Sequence, residues 1–159
     1  MASYRGSRSL EASLIQYIET KLVDDNWTNV TTSKVLAKVY KQWSESTTVI
    51  LVNVLTKRHI KKEMGNTELE HYYFVSFRIF GTDDGNRLDL SEWLIDKIKI
   101  GCIFYEYETE ASTIVARNEA GRVVLMGITD DRAEFLGTDV EKQDRYRHII
   151  TCEMYVGKA

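Results

Sequence analysis

The segment Arg87-Leu-Asp-Leu-Ser-Glu-Trp-Leu-Ile-Asp-Lys-Ile-Lys-Ile-Gly101 constrains the fold more than any other: it reads as a short helix with marked ends, set between two runs that read as strands. Asp89 is placed to cap the helix by accepting from the backbone N–H of Glu92, and Glu92 to reach back to the N–H of Asp89, a capping box. Leu88 and Trp93 stand where a hydrophobic staple needs them. Leu90, Trp93, Leu94 and Ile98 recur on one face as core anchors, and Gly101 supplies the left-handed residue that stops the helix.

The run before this helix is a strand pair. Thr47 to Leu55 holds Val49, Ile50, Leu51, Val52 and Val54 almost unbroken, the β-branched density of a strand covered on both faces. Its expected partner is Glu70 to Phe80, in which Tyr73, Val75, Phe77 and Ile79 point one way and Tyr72, Phe74, Arg78 and Phe80 the other. One helix layer covers one face only, so the second apolar face requires either another subunit, with Tyr72, Phe74, Arg78 and Phe80 as the interface, or other parts of the same chain.

Elsewhere the periodicities are shorter. Ser9 is placed to cap a first helix over 10 to 24, with Leu10, Leu14, Tyr17, Ile18 and Leu22 at helical spacing, ended by Asp24, Asp25 and Asn26. Residues 33 to 43 fit either a strand or a short helix, the early part leaning to strand. Cys102 to Tyr107 reads as an aromatic strand, and Thr113 to Arg117 and Arg122 to Met126 as two strands around a turn at Asn118–Gly121. Tyr146 to Val156 alternates as a closing strand. Residues 1 to 8 read as a flexible lead, and 128 to 145 as an acidic, loop-rich insertion. The expectation is one α+β domain over 1–159, a small mixed or antiparallel sheet with the amino-terminal and central helices packed on one face.

The 159 residues carry 43% hydrophobic and 28% charged side chains, an ordinary globular balance. A net charge of −3 argues against a dedicated nucleic-acid binder, which needs surplus Lys and Arg for phosphates. The start, Met-Ala-Ser-Tyr-Arg-Gly-Ser, has no signal-peptide core, and no apolar run is long enough to cross a bilayer, so a cytosolic protein without membrane contact is expected. Cys102 and Cys152 lie about fifty residues apart in strands and read as buried free thiols rather than a disulfide or metal site.

No chemistry stands out. His59, His71 and His148 have no second ligand at metal spacing in sequence, and no metal site or cofactor is expected. Asp83, Asp84 and Asp89 around Gly85 lack the alternating acids and closing Glu of a calcium loop. Phosphate-cradling glycine motifs and a nucleophile elbow are absent. The acidic pairs Glu106/Glu108 and Asp130/Asp131 read as solvated faces, and no catalytic residue is assigned. One charge cluster does stand apart: Lys57, Arg58, Lys61 and Lys62, in what reads as a long loop between the paired strands, form a basic arm suited to docking on an acidic partner, with DNA contact the lesser reading.

The succession of an amino-terminal helix, a strand ribbon with a long loop, the Arg87-x-Asp-Leu-Ser-Glu-Trp-Leu-x-Asp-Lys-Ile98 helix, an aromatic strand and a closing strand begun by Asp144-Arg-Tyr-Arg147 resembles the tail terminator or tail completion proteins of long-tailed bacteriophages, over residues 9 to 156. That resemblance implies a non-enzymatic virion protein, assembled in the host cytoplasm. It implies a hexameric ring on the head-proximal end of the tail tube that stops tube polymerisation and offers the head connector a surface, with DNA passing through the channel without specific binding. Residues 109 to 143 are longer and more acidic than a minimal version of the fold, which keeps a head-tail connector or head-completion role open. A nucleic-acid-binding adaptor is the alternative of a different kind.

Overall fold

Val49, Ile50, Leu51 and Val52 are all buried to 1% exposure or less, so the strand that carries them is covered on both faces, and the rest of the fold is arranged around it. The structure, a computed structural model, describes residues 2–3, 6–44, 46–61, 64, 69–111, 113–134 and 147–158. In chain order its elements are β1 (Ala2–Ser3), α1 (Gly6–Asp24), β2 (Val30–Ser33), α2 (Leu36–Gln42), β3 (Thr48–Lys61), β4 (Leu69–Phe80), α3 (Asp84–Ile98), β5 (Cys102–Glu110), β6 (Thr113–Ala133) and β7 (Arg147–Lys158).

The strands form one mixed sheet in the order β1-β5-β6-β7-β4-β3-β2, parallel only between β2 and β3. The fold is therefore α+β, with a sheet larger than expected; β1 contributes two residues to its edge. In a flat sheet β5 and β3 would stand four strand spacings apart, roughly 19 Å, against a helix diameter of roughly 10 Å. Yet α1 touches both: Ser13 Oγ accepts from the Tyr105 N–H at 3.0 Å, and Glu11 Oε2 accepts from the Val54 N–H at 3.3 Å. The sheet curls around α1, whose polar side chains satisfy backbone groups at either margin.

The concave side holds the main core. Leu10, Leu14, Ile18 and Leu22 of α1 and Leu90, Leu94 and Ile98 of α3 meet Ile50, Val52, Tyr73, Val75, Phe77, Ile79, Ile150, Cys152 and Met154. The two helices divide this surface, α1 over β5 and β3, α3 over β4 and β7. On the opposite face α2, within the stretch 33–43 that fits either a strand or a short helix, lays Val39 and Trp43 on Val49, Leu51 and Phe80. Both helix layers thus come from the chain itself, which corrects the expectation of helices on one face only.

Several ends move. The helix α3 starts five residues before Asp89: Asp83 is its N-cap and accepts from the Asn86 N–H at 2.7 Å, so Asp89 and Glu92 are interior and Leu88, 48% exposed, makes no staple. Gly101 does take a left-handed φ of 82°, and a Cβ there would lie 2.5 Å from the Val123 carbonyl oxygen. Helix α1 begins at Gly6, which places Ser9 inside it and buried, and Ala2–Ser3 pair with Thr109 and Glu108. Asn26 ends the helical region in a left-handed conformation, as its residue type suggests.

The largest correction concerns β6. Asn118–Gly121 is no turn: β6 runs unbroken from Thr113 to Ala133, pairing first with β5 and then with β7. Residues 128–133 of the expected insertion belong to this strand, while 135–146 lie outside the described residues.

Candidate docking surfaces

Three residues of the basic cluster are not on a loop. Lys57, Arg58 and Lys61 lie in β3, opposite Tyr73, Tyr72 and Leu69 of β4. Lys62 lies outside the described residues. Arg58 is already engaged: its Nη2 donates to Glu153 Oε1 at 2.6 Å while its guanidinium stands 5.1 Å from the Tyr72 ring. Lys57 Nζ sits 5.3 Å from the Tyr73 ring. The strands extended further than their apolar pattern because cross-strand cation–aromatic pairs stabilise a half-exposed ribbon as apolar pairs do a buried one.

The second face of β4 is only partly open. Phe80 is 0% exposed beneath α2, with Trp43 edge-on at 5.1 Å, so it is removed from the expected subunit interface. Tyr72, Phe74 and Arg78 are half-buried. Arg78 and Arg147 converge on Glu134, at 3.6 and 3.1 Å, and Arg147 stands 4.7 Å over the Phe80 ring. Of the central-helix anchors, Leu90, Leu94 and Ile98 are buried, whereas Trp93 is half-buried, edge-on to Trp27, and donates from Nε1 to Asp25 Oδ2 at 2.7 Å. That hydrogen bond, with Lys97 beside it at 2.9 Å, holds the Asp25 carboxyl below its usual range.

Tertiary folding assembles two groupings that spacing did not signal. His59 and His71 face each other across β3 and β4, Nδ1 to Nδ1 3.0 Å. Strand register, which sequence does not print, makes them neighbours. They supply two donors, and among the described residues no group of three or more His, Cys, Asp or Glu gathers to complete a metal centre. The second grouping ties α3, β7 and β6: Arg87 Nη1 lies 2.6 Å from His148 Nδ1, and His148 Nε2 lies 2.6 Å from Asp131 Oδ1. A guanidinium only donates, so Nδ1 accepts and Nε2–H donates to Asp131. Both ring nitrogens are spent on this link, leaving neither to serve as a base. The acids near Gly85 are likewise used, Asp83 as the cap and Asp84 on Arg87.

Cys152 is 0% exposed and donates to the Val75 carbonyl; burial pushes its thiol up to about 12. Burial likewise pushes Cys102 up to about 11, against a smaller opposing effect of Arg122. Neither is a nucleophile at neutral pH.

Beside α1, β5 and β6 lies an open cleft of about 390 Å³ lined by Tyr17, Lys21, Tyr105, Arg117 and Arg122 among others, with three cations and no carboxylate. Arg117 stacks on Tyr105 at 4.4 Å, and Arg122 donates to the Ile100 carbonyl at 3.1 Å. Among the described residues neither guanidinium forms an ion pair. Strand β6 above it is the most exposed apolar element, presenting Ile114, Val115, Val124, Met126 and Ile128 at 38 to 55% exposure. No helix among the described residues is long and apolar enough to cross a membrane. No protein-family model and no curated protein matches the chain.

Proposed function

We propose that this chain is a structural virion assembly protein that caps the head-proximal end of a phage tail tube, ends its polymerisation and offers the head-joining surface. The observation that carries this reading, beside the sequence resemblance, is β6: among the described residues this long strand keeps an open half-edge on either flank and exposes apolar side chains. Such a strand is suited to assembly. In this reading identical subunits close into a hexameric ring through two different patches, as cyclic symmetry above a dimer requires. Lys57, Arg58 and Lys61 at the far end of the β3–β4 ribbon, together with the following Lys62, dock on the tube or connector, DNA passes through the channel, and the role is mechanical rather than enzymatic.

The test is a phage lacking the gene. A terminator leaves tails of uncontrolled length in electron micrographs, whereas a head-tail connector or head-completion protein leaves tails of normal length lying free of filled heads. Fully joined virions overturn both. A second reading, an adaptor for nucleic acid, is favoured by the Lys21, Arg117 and Arg122 cleft with its lack of carboxylates. It requires DNA or RNA affinity that falls steeply with salt; no binding at low ionic strength sinks it.

A further inference from the structure

Strand β6 has two open edges, and they are complementary. Thr113–Ala120 pair only with β5, leaving the β7 side open, while Val124–Ala133 pair only with β7, leaving the β5 side open; Gly121–Val123 are paired on both sides. These statements hold among the described residues. Native edges are usually blunted by lysine, proline or bulges. Neither half contains Lys or Pro, although two register shifts interrupt the pairing of each.

We infer that the two half-edges of β6 are a head-to-tail interface between copies of this chain, the Thr113–Ala120 edge of one copy pairing with the Val124–Ala133 edge of the next. Three observations support a second copy as the occupant. The edges lie on opposite flanks of one strand, so a neighbour in the same face orientation brings its β5-side edge against the β7-side edge of the first, and the two β6 strands run parallel. Advancing the second strand by thirteen positions, a shift read directly from the residue numbers, sets Arg117 against Asp130, Glu119 against Arg132 and Val115 against Ile128. Two opposite-charge pairs then meet two residues apart on one face of each strand, the pairing that stabilises adjoining strands, whereas the register shifts at Val115 and Thr129 take Val115 and Ile128 out of that alternation. Arg117, moreover, has no ion pair within its own chain among the described residues, and Asp130 is held only by its exposed neighbour Arg132 at 3.6 Å. Each copy keeps one edge of each kind free, so the contact is heterologous and propagates until it closes. The inference deepens the ring of the proposed function and rests on its self-assembly.

Disulfide trapping tests it. Ala116 and Thr129 face each other in this register, and adjacent strands stand roughly 4.8 Å apart, within reach of a disulfide. The native Cys102 and Cys152 are buried and stay silent. Under mild oxidation, a mixture of A116C and T129C chains should give a covalent dimer, each variant alone none, and the double variant a ladder of oligomers. Placing D130R in the T129C chain should abolish the cross-link, and R117D in the A116C chain restore it. Cross-linking of A116C or T129C alone shows a symmetric pairing and overturns the inference, as does a mixture that never cross-links. Light scattering separates the interface from the ring. A closed hexamer without the A116C–T129C cross-link removes this interface and leaves the ring; a cross-linked ladder that never closes does the reverse.

Discussion

Strands β4 and β6 are consecutive in neither sequence nor sheet, and they do opposite work. β4 is hydrogen-bonded along most of its length on both sides, by β3 and β7, and its Val75, Phe77 and Ile79 are 0% exposed in the main core. β6 is nearly twice as long, 21 residues against 12, but over most of it only one side is paired. A sheet gains stability where pairing and burial coincide, and keeps capacity for a partner where pairing stops short. The molecule separates the two: pairing on both sides and burial coincide in β4 and β7, while among the described residues β6 keeps an open edge on either flank.

The sharpest way to break this comparison is truncation on each strand. Phe77→Ala should cost roughly 3–5 kcal/mol in a urea titration, while Ile114→Ala at the open edge should stay within about 0.5 kcal/mol. Equal losses would show that β6 belongs to the stability core. Trp93→Ala comes next. Half-buried against Trp27 and bonded to Asp25, Trp93 should contribute about 2 kcal/mol, less than Phe77 because its indole already meets solvent; a loss as large as that of Phe77→Ala would place it in the core after all.

Cys152 and Cys102 probe the same layer chemically. Both should resist a thiol reagent at neutral pH in the native state and react fully once unfolded. Their raised values, about 12 and about 11 against an ordinary 9.0, mean that the folded protein holds these protons more tightly than the unfolded chain. Their contribution to stability is thus intact below pH 9 and is lost as pH rises through 11 and 12. A melting temperature that falls over that range just as much in C102A and C152A controls would assign alkaline sensitivity elsewhere. The smallest effect is at Asp25. Its lowered carboxyl pKa means stability present at neutral pH and shed as pH falls below the usual carboxylate range, so Asp25→Asn should slightly flatten the acid limb of a stability profile. Exposed as it is, no larger change is expected.

Local patterns in the sequence were sufficient where burial is periodic. Leu10, Leu14, Ile18 and Leu22, the alternation of Tyr73, Val75, Phe77 and Ile79, and the left-handed Gly101 all sit as their spacing demands. Patterns misled wherever a polar group had a tertiary partner. Asp89 offered a capping box, but Asp83 took the cap, because Asn86 Oδ1 also accepts from Thr82 N–H and Thr48 Oγ1–H and so draws the helix start back toward the sheet. Lys57 and Arg58 looked like a loop since charge and strand seldom coincide, and became strand through Tyr72, Tyr73 and Glu153 across the ribbon.

What the sequence determined by itself is the α+β class, the faces of β4, the first and central helices and the buried thiols, because each follows from periodicity within a dozen residues. What only the tertiary structure decided is the register: the His59–His71 pair, the Arg87–His148–Asp131 link, the cover of Phe80 by α2, and the offset of β6 that leaves two half-edges open. Register depends on which distant strand arrives alongside, and Asn118–Gly121 shows the consequence, since a turn signal is overridden when β5 and β7 pair with β6 to either side of it.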